Sequence, residues 1–120
     1  MQYMLLIHVD EAAMAAMAPA ATPDKAYEMA QPYLAYNEAL KKAGVWVAGD
    51  RLAPSASTTL VSMRGDKTEV LDGPFADTKE QLGGYYIIEA ADLDAAIQWA
   101  ARCPAAQNRA VEVRPIWKAG

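Results

Sequence analysis

The chain has 120 residues, of which 53% are hydrophobic and 22% are charged, with a formal net charge of −4. This composition excludes a disordered chain and predicts a single globular domain over residues 1–120. An acidic balance without a basic block argues against nucleic acid as a partner. The single cysteine, Cys103, cannot form an internal disulfide, and no apolar run reaches membrane-spanning length. We therefore expect a cytoplasmic protein that makes no membrane contact.

The first predicted strand covers residues 3–9 and is apolar on both faces. Its alternating residues are Tyr3, Leu5, Ile7 and Val9 on one face, and Met4, Leu6 and His8 on the other. A strand covered on one side only should alternate between apolar and polar residues, and this one does not. Helices can cover one face, and a second copy of the chain is an economical cover for the other. The pattern therefore predicts a homodimer that packs sheet against sheet.

Two helical segments follow in the sequence. Residues 10–18 predict a short helical turn, and a longer helix is expected from an N-cap at Thr22 to about Ala43. Pro32 should kink or divide this second helix. Its apolar stripe at helical spacing, which we interpret as core-facing, consists of Tyr33, Tyr36, Leu40 and Ala43.

The second half of the chain predicts more strands and one further helix. A strand over residues 45–48 is followed by a hairpin, with strands over residues 58–63 and 67–71. A strand over residues 85–91 precedes a helix capped by Asp92, and residues 111–114 form the last strand. The apolar positions of that helix are Leu93, Ala96, Ile97 and Ala100. The order β, α, β, hairpin, β, α, β predicts an α+β fold with a split βαβ layout and an inserted β-hairpin.

The segment between the hairpin and the next strand contains the most unusual residues. Asp72-Gly73-Pro74-Phe75 is typical of a tight turn, in which Asp bonds an amide two residues on, Gly accepts positive φ and Pro fixes the exit. Phe75 is the only Phe in the chain. It either caps a pocket or plugs the turn, and the residues alone favour the plug. The charged wall of such a pocket would consist of Asp72, Asp77, Lys79 and Glu80. Gly83 and Gly84 predict a close backbone approach or a bend before the strand.

This segment also resembles a known family. Asp72-Gly73-Pro74-Phe75, followed by the run from Thr78 to Tyr86, is similar to the signature of the DGPF-domain branch of the YCII-related proteins. Similarity extends to residues 3–7, 43–45 and 111–115, and so covers nearly the whole chain. The resemblance implies a bacterial protein with a ferredoxin-like fold of the dimeric α/β barrel type, and it implies no settled activity. The wider family is thought to use a His–Asp pair, with its His near the start of the first long helix. Here that region reads Gln31-Pro32-Tyr33-Leu34, so the pair is not carried over.

Few residues have side chains suited to catalysis. His8, the only histidine, has Asp10 two residues on, and such a pair can act as a general base. The alternative, which we favour, is a half-buried histidine at an interface. Arg51 either binds a carboxylate-bearing ligand or forms a salt bridge with Asp50, Asp72 or Glu112. One His and one Cys cannot complete a zinc site, and no sequence pattern indicates a metal or a cofactor.

Two functions remain as hypotheses. The first is a small-molecule-binding protein, with or without catalysis, whose pocket lies between the sheet and the first long helix. Its candidate catalytic residues are His8, Asp10 and Asp72, and its candidate ligand-binding residues are Arg51, Asp72, Gly73, Pro74 and Phe75. The second is a non-catalytic accessory or regulatory dimer module, linked by the resemblance to extracytoplasmic-function sigma factors. The first hypothesis requires His8, Asp10 and Asp72 to converge on a cavity.

Overall fold

A computed structural model describes residues 1–17, 23–75 and 78–118. The predicted N-cap Thr22 and the predicted pocket-wall residue Asp77 lie outside the described residues. No helix within the described ranges is both long enough and apolar enough to cross a membrane.

The structure is mixed α+β, as the sequence predicts. Its elements in chain order are β1 (Gln2–Asp10), α1 (Glu11–Met17), α2 (Pro23–Lys42), β2 (Trp46–Arg51), β3 (Thr59–Arg64), β4 (Lys67–Asp72), β5 (Glu80–Glu89), α3 (Leu93–Arg102) and β6 (Val111–Pro115). Four strands form an antiparallel sheet in the order β2-β5-β1-β6, while β3 and β4 form a separate two-stranded antiparallel sheet. The strand order and the positions of α2 and α3 are compatible with a ferredoxin-like fold.

The two faces of the main sheet differ in burial, and we call them the helix side and the outer face. On the helix side, Tyr3, Leu5 and Ile7 of β1 are buried in a core that α2 and α3 complete. The residues that those helices bury are Tyr36 and Leu40 from α2, and Ala96 and Ala100 from α3. Since side chains alternate along a strand, Met4, Leu6 and His8 lie on the outer face, where they are half-buried.

Two strands are longer than the sequence predicts, and the added residues include Arg51, Gly83 and Gly84. β2 continues to Arg51, which pairs with Gly84 of β5, and Gly84 in turn pairs with Ile7 of β1. Gly83 and Gly84 therefore lie inside β5 instead of forming a bend before it. They serve the predicted close approach, because a Cβ on Gly83 would lie 2.7 Å from the Val9 side chain. A register shift between Ile7 and His8 accommodates the extra residue.

The helices agree with the sequence at their caps more than in their interiors. Asp92 caps α3 as predicted, and its carboxylate accepts the Ala95 amide at 2.9 Å. Pro32 does not divide α2, because it lies on the exposed side of the helix, where water can bond the carbonyl that lacks a partner. Leu93 and Ile97, predicted to face the core, are each 48% exposed.

Candidate functional site

The Asp72-Gly73-Pro74 turn closes the base of the β3–β4 hairpin. Gly73 has a φ of +103°, and its amide donates to the Thr58 carbonyl at 2.7 Å. The Asp72 side chain is exposed and forms no hydrogen bond to any described residue. The predicted bond to an amide two residues on was wrong, because that position is Pro74, which has no N–H. In this structure the turn has a structural role.

Phe75 follows this turn and is 93% exposed. A ring so exposed neither plugs the turn nor caps a pocket within a single chain. Of the residues predicted for the charged wall, Lys79 and Glu80 are exposed as well. The Phe75 ring is therefore a large apolar surface that the described residues leave uncovered.

His8 and Asp10 interact with other residues and not with each other. The His8 Nε2 atom lies 3.3 Å from Oε1 of Glu112 on the outer face, and the Arg114 guanidinium holds the other oxygen of Glu112 at 2.9 Å. The Asp10 carboxylate accepts the Ala13 amide at 3.1 Å and so holds the start of α1. No hydrogen bond joins His8, Asp10 and Asp72 in the described part of the chain, so the convergence that the first hypothesis requires is not seen.

Arg51 lies on the helix side of the sheet, whereas His8 and Glu112 lie on the outer face. Its pairing partner Gly84 lies in the same row as Ile7, which is buried on the helix side, so Arg51 also belongs to the helix side. None of the ion pairs formed by the described residues includes Arg51, and Asp50 instead accepts the Tyr85 hydroxyl at 3.4 Å. The guanidinium is therefore available to a ligand.

Two further residues join Arg51 on the helix side, and we call Tyr33, Arg51 and Arg109 the cationic cluster. Burial raises the pKa of the Tyr33 hydroxyl, and the buried Cys103 thiol adds to this effect, whereas the Arg109 and Arg51 guanidiniums act in the opposite direction. Both guanidiniums thus lie within electrostatic reach of one phenol. Arg109 uses one donor, Nη1, for the His8 carbonyl at 3.1 Å, and no described carboxylate pairs with it.

The tyrosines deeper in the core have structural partners, which distinguishes them from Tyr33. The Tyr36 hydroxyl donates to the Trp99 carbonyl at 2.6 Å, and the Tyr86 hydroxyl donates to Oδ1 of Asn37 at 2.6 Å. Burial raises the pKa of both hydroxyls well above 10.0. The Tyr33 hydroxyl is only partly buried and bonds to no described residue, so it remains free to donate to a ligand.

The loop after β2 is fixed beside this cluster. The Leu52 amide donates to the Gly83 carbonyl at 2.9 Å. The Glu11 carboxylate accepts the Ser55 amide at 2.7 Å and the Ser55 hydroxyl, so it caps the short turn Ser55–Ser57. Through Thr58, the same loop reaches the amide of Gly73. The predicted turn and the cationic cluster are therefore connected by one hydrogen-bonded loop, residues 52–58.

Two shallow grooves lie elsewhere on the surface. The first, about 350 Å³, lies between α3 and β6, and it has an apolar lining with Arg109 at its border. The second, about 340 Å³, is lined by residues at the two ends of the chain, including Met1 and Trp117. Neither groove includes the Asp72–Phe75 turn. Among the residues that the structure describes, no group of three or more His, Cys, Asp or Glu side chains is arranged to hold a metal ion.

Sequence reasoning named Arg51 as a candidate ligand-binding residue but did not name Tyr33, Arg109 or Glu11 as parts of this region. Tyr33 was assigned to the core because it shares the helical spacing of the buried Tyr36, and spacing cannot separate a half-buried ring from a buried one. Arg109 lies just before β6 and Arg51 ends β2, and these two strands are the opposite edges of the sheet, so local sequence does not relate the two side chains. The one signal for Arg109 in the sequence was that it is a charged residue close before the predicted strand of residues 111–114.

Comparison with known proteins identifies a family for the chain. The sequence profile of the YCII-related domain matches residues 1–119. An uncharacterised protein of Rhizobium meliloti (strain 1021) is 41% identical over 68 residues, which is 55% of each protein. The chain thus spans about half the length of this relative. On the match over residues 1–119, the chain belongs to the family of proteins with a YCII-related domain.

Proposed function

We propose that the protein binds a small organic acid at the cationic cluster, on the helix side of the sheet. The observation that carries this proposal is that Arg51 and Arg109, each within electrostatic reach of the half-buried Tyr33 phenol, have no carboxylate partner among the described residues. Arginines in folded proteins usually pair with acidic side chains, and a site that lacks such a partner suits an external anion.

The cluster offers donors and no acceptor. The pKa of the Tyr33 hydroxyl is raised, so the phenol stays protonated at neutral pH and donates a hydrogen bond. Each guanidinium is a permanently charged donor, and its own planar shape matches that of a carboxylate. Glu11 of α1, the carboxylate that holds the loop of residues 52–58, is already bonded to Ser55. These donors favour the binding of an anion. They disfavour a cation, and also a neutral molecule with few hydrogen-bond acceptors.

The surroundings favour an organic acid over an inorganic anion. Gly84 places no side chain in the row between Arg51 and Ile7. The neighbouring side chains on this side, Val9 and Tyr86, are apolar over most of their surface. A carboxylate joined to a small apolar body satisfies both the donors and these walls.

Calorimetric titration with benzoate and with inorganic phosphate tests the proposal. Benzoate should bind, and Arg51→Met should weaken it at least about tenfold, since a charge-assisted hydrogen bond contributes about 1.5–3 kcal/mol. Arg64→Met, which removes the same charge from an exposed position on β3, is the matched control and should bind as the unmodified protein does. Equal affinities of the two variants, or phosphate binding without benzoate binding, would contradict the proposal.

A second proposal concerns the outer face of the sheet and retains the accessory-module hypothesis. The half-buried Leu6 of β1 lies opposite Tyr85 of β5, and Met4 lies opposite Ile87, so four large side chains form one apolar area. This area supports a homodimer of the dimeric α/β barrel type, in the DGPF branch of the family. An accessory role beside an extracytoplasmic-function sigma factor rests on the resemblance. It predicts that Leu6→Lys abolishes a dimer in light scattering but leaves benzoate binding unchanged.

A further inference from the structure

The β3–β4 hairpin, which we call the arm (residues 59–72), extends from the rest of the protein. Its two strands pair only with each other among the described strands, in register from Thr59–Asp72 to Arg64–Lys67. Its base is closed by the bond from the Gly73 amide to the Thr58 carbonyl. An isolated two-stranded hairpin is marginally stable in water, so an arm of this kind needs a surface to pack on.

One face of the arm is apolar. Val61 pairs with Val70, and Met63 lies on the same face, so the three side chains adjoin one another. They are 64%, 59% and 61% exposed, respectively. The opposite face is polar towards its tip, where Glu69 pairs with Arg64 at 3.1 Å and lies 3.5 Å from the Ser62 hydroxyl. Near the base, the opposite face carries Leu60 and the 59% exposed Leu71, so the arm is amphipathic only towards its tip. The described residues leave Val61, Met63 and Val70 largely uncovered.

The whole chain exposes more surface than a compact monomer of its mass. Its accessible surface is 8603 Å², whereas a folded monomer of this mass exposes about 6,300 Å². Its radius of gyration is 16.7 Å, compared with about 14 Å for a compact domain of this length. The excess surface of about 2,300 Å² is well above the roughly 800 Å² that each partner buries in a standard interface.

We propose that the apolar face of the arm packs on a second copy of this chain, in a twofold dimer that exchanges arms. A twofold axis covers both arms at once and leaves no unsatisfied apolar face, whereas a different protein would cover each arm separately. The outer face of the sheet is apolar as well and is the dimer interface proposed above. The arm enlarges that proposed interface. The arm contact goes beyond binding at the cationic cluster and is independent of it.

Thiol labelling tests the arm contact directly. The native thiol, Cys103, is buried, so an introduced cysteine reports alone. Met63→Cys, on the apolar face, should react with a maleimide at least about tenfold more slowly than Ser62→Cys. The second variant is the matched control, because Ser62 is the adjacent residue on the polar face. Equal labelling rates would overturn the proposal and leave a free arm, even if the protein is a dimer.

Sedimentation equilibrium gives the second measurement. The unmodified protein should sediment at twice the 12.9 kDa chain mass, and the double variant Val61→Asp/Val70→Asp should shift towards the chain mass. Ser62→Asp should stay dimeric. A monomeric unmodified protein, or a folded double variant that remains fully dimeric, would overturn the proposal. If the double variant fails to fold, the labelling rates of the two cysteine variants decide the matter.

Discussion

Gly73 and its neighbour Asp72 show how differently two adjacent turn residues can act. We expect Gly73→Val to lower the free energy of unfolding by about 1–3 kcal/mol, because a φ of +103° is strained for any residue with a side chain. Asp72→Asn should change it little, because the exposed carboxylate bonds to no described residue. Urea unfolding of the two variants measures the difference. Equal losses would show that the turn does not depend on its glycine.

Tyr33 and Tyr36 lie one helical turn apart but should respond oppositely to the same change. Tyr33→Phe removes a hydroxyl without a described partner, so stability should hold while benzoate affinity falls about two- to tenfold. Tyr36→Phe leaves the Trp99 carbonyl without its donor and should cost about 1 kcal/mol of stability, with affinity unchanged. Parallel thermal melts and calorimetric titrations separate the two roles. A drop in stability for Tyr33→Phe without a drop in affinity would show that Tyr33 has a structural role in the core and does not bind the ligand.

At the scale of elements, two buried phenols hold α2 to α3 and to the sheet, and this gives the fold an alkaline limit. Burial raises the pKa of Tyr36 and Tyr86 above 10.0, so the folded state holds these protons more tightly than the unfolded state does. Their contribution to stability is therefore complete below pH 10 and is lost as the pH rises through the folded pKa values. The loss is at most about 1.4 kcal/mol per pH unit for each tyrosine.

Urea unfolding at pH 8 and at about pH 11 checks this limit. Tyr86→Phe should be less stable than the unmodified protein at pH 8, because Asn37 loses its donor, but should lose less stability between the two pH values. Tyr27→Phe is the control, because Tyr27 is exposed and should leave the pH dependence unchanged. An identical pH dependence for Tyr86→Phe and the unmodified protein would contradict the assignment.

The loop of residues 52–58 is a second element-scale feature, and it depends on one carboxylate from α1. Glu11→Gln keeps the shape of the side chain but weakens its bonds to the Ser55 amide and hydroxyl. We expect the Ser55 amide to exchange with solvent about tenfold faster, consistent with a loss of about 1.4 kcal/mol from a charge-assisted bond. The amide of Ala95, held by Asp92, is the internal reference and should not change. Unchanged exchange at Ser55 would show that Glu11 does not hold the loop.

The sequence predicted these elements well where a local signal exists. Asp92 as a cap and the last strand over residues 111–114 were predicted from local patterns, and the structure has both. The start of β5 and the end of β2 were misjudged, because the glycine pair before Tyr85 reads as a bend when its strand partners are unknown. Inside the sheet, Gly84 is fixed by Arg51 on one side and Ile7 on the other, and neither contact is visible from local sequence.

At the scale of the whole molecule, the sheet separates two surfaces with different chemistry. The helix side holds the cationic cluster, while the outer face and the arm present apolar side chains. The apolar character of both faces of β1 was readable from residue alternation. The cluster was not, because Tyr33, Arg51 and Arg109 come from α2, β2 and the segment before β6. The two strands are opposite edges of the sheet, and only in the folded chain do both guanidiniums act on the Tyr33 phenol.

Nuclear magnetic resonance with uniformly ¹⁵N-labelled protein and benzoate tests the central claim, which is anion binding at this cluster. The account predicts saturable shifts of the Arg51 and Gly84 amides, and their loss in Arg51→Met. Amides of the Asp72–Phe75 turn should shift less, because the turn reaches the cluster only through the loop of residues 52–58. Shifts confined to Gly73 and Phe75, or shifts that persist in Arg51→Met, would contradict the account and place the ligand elsewhere.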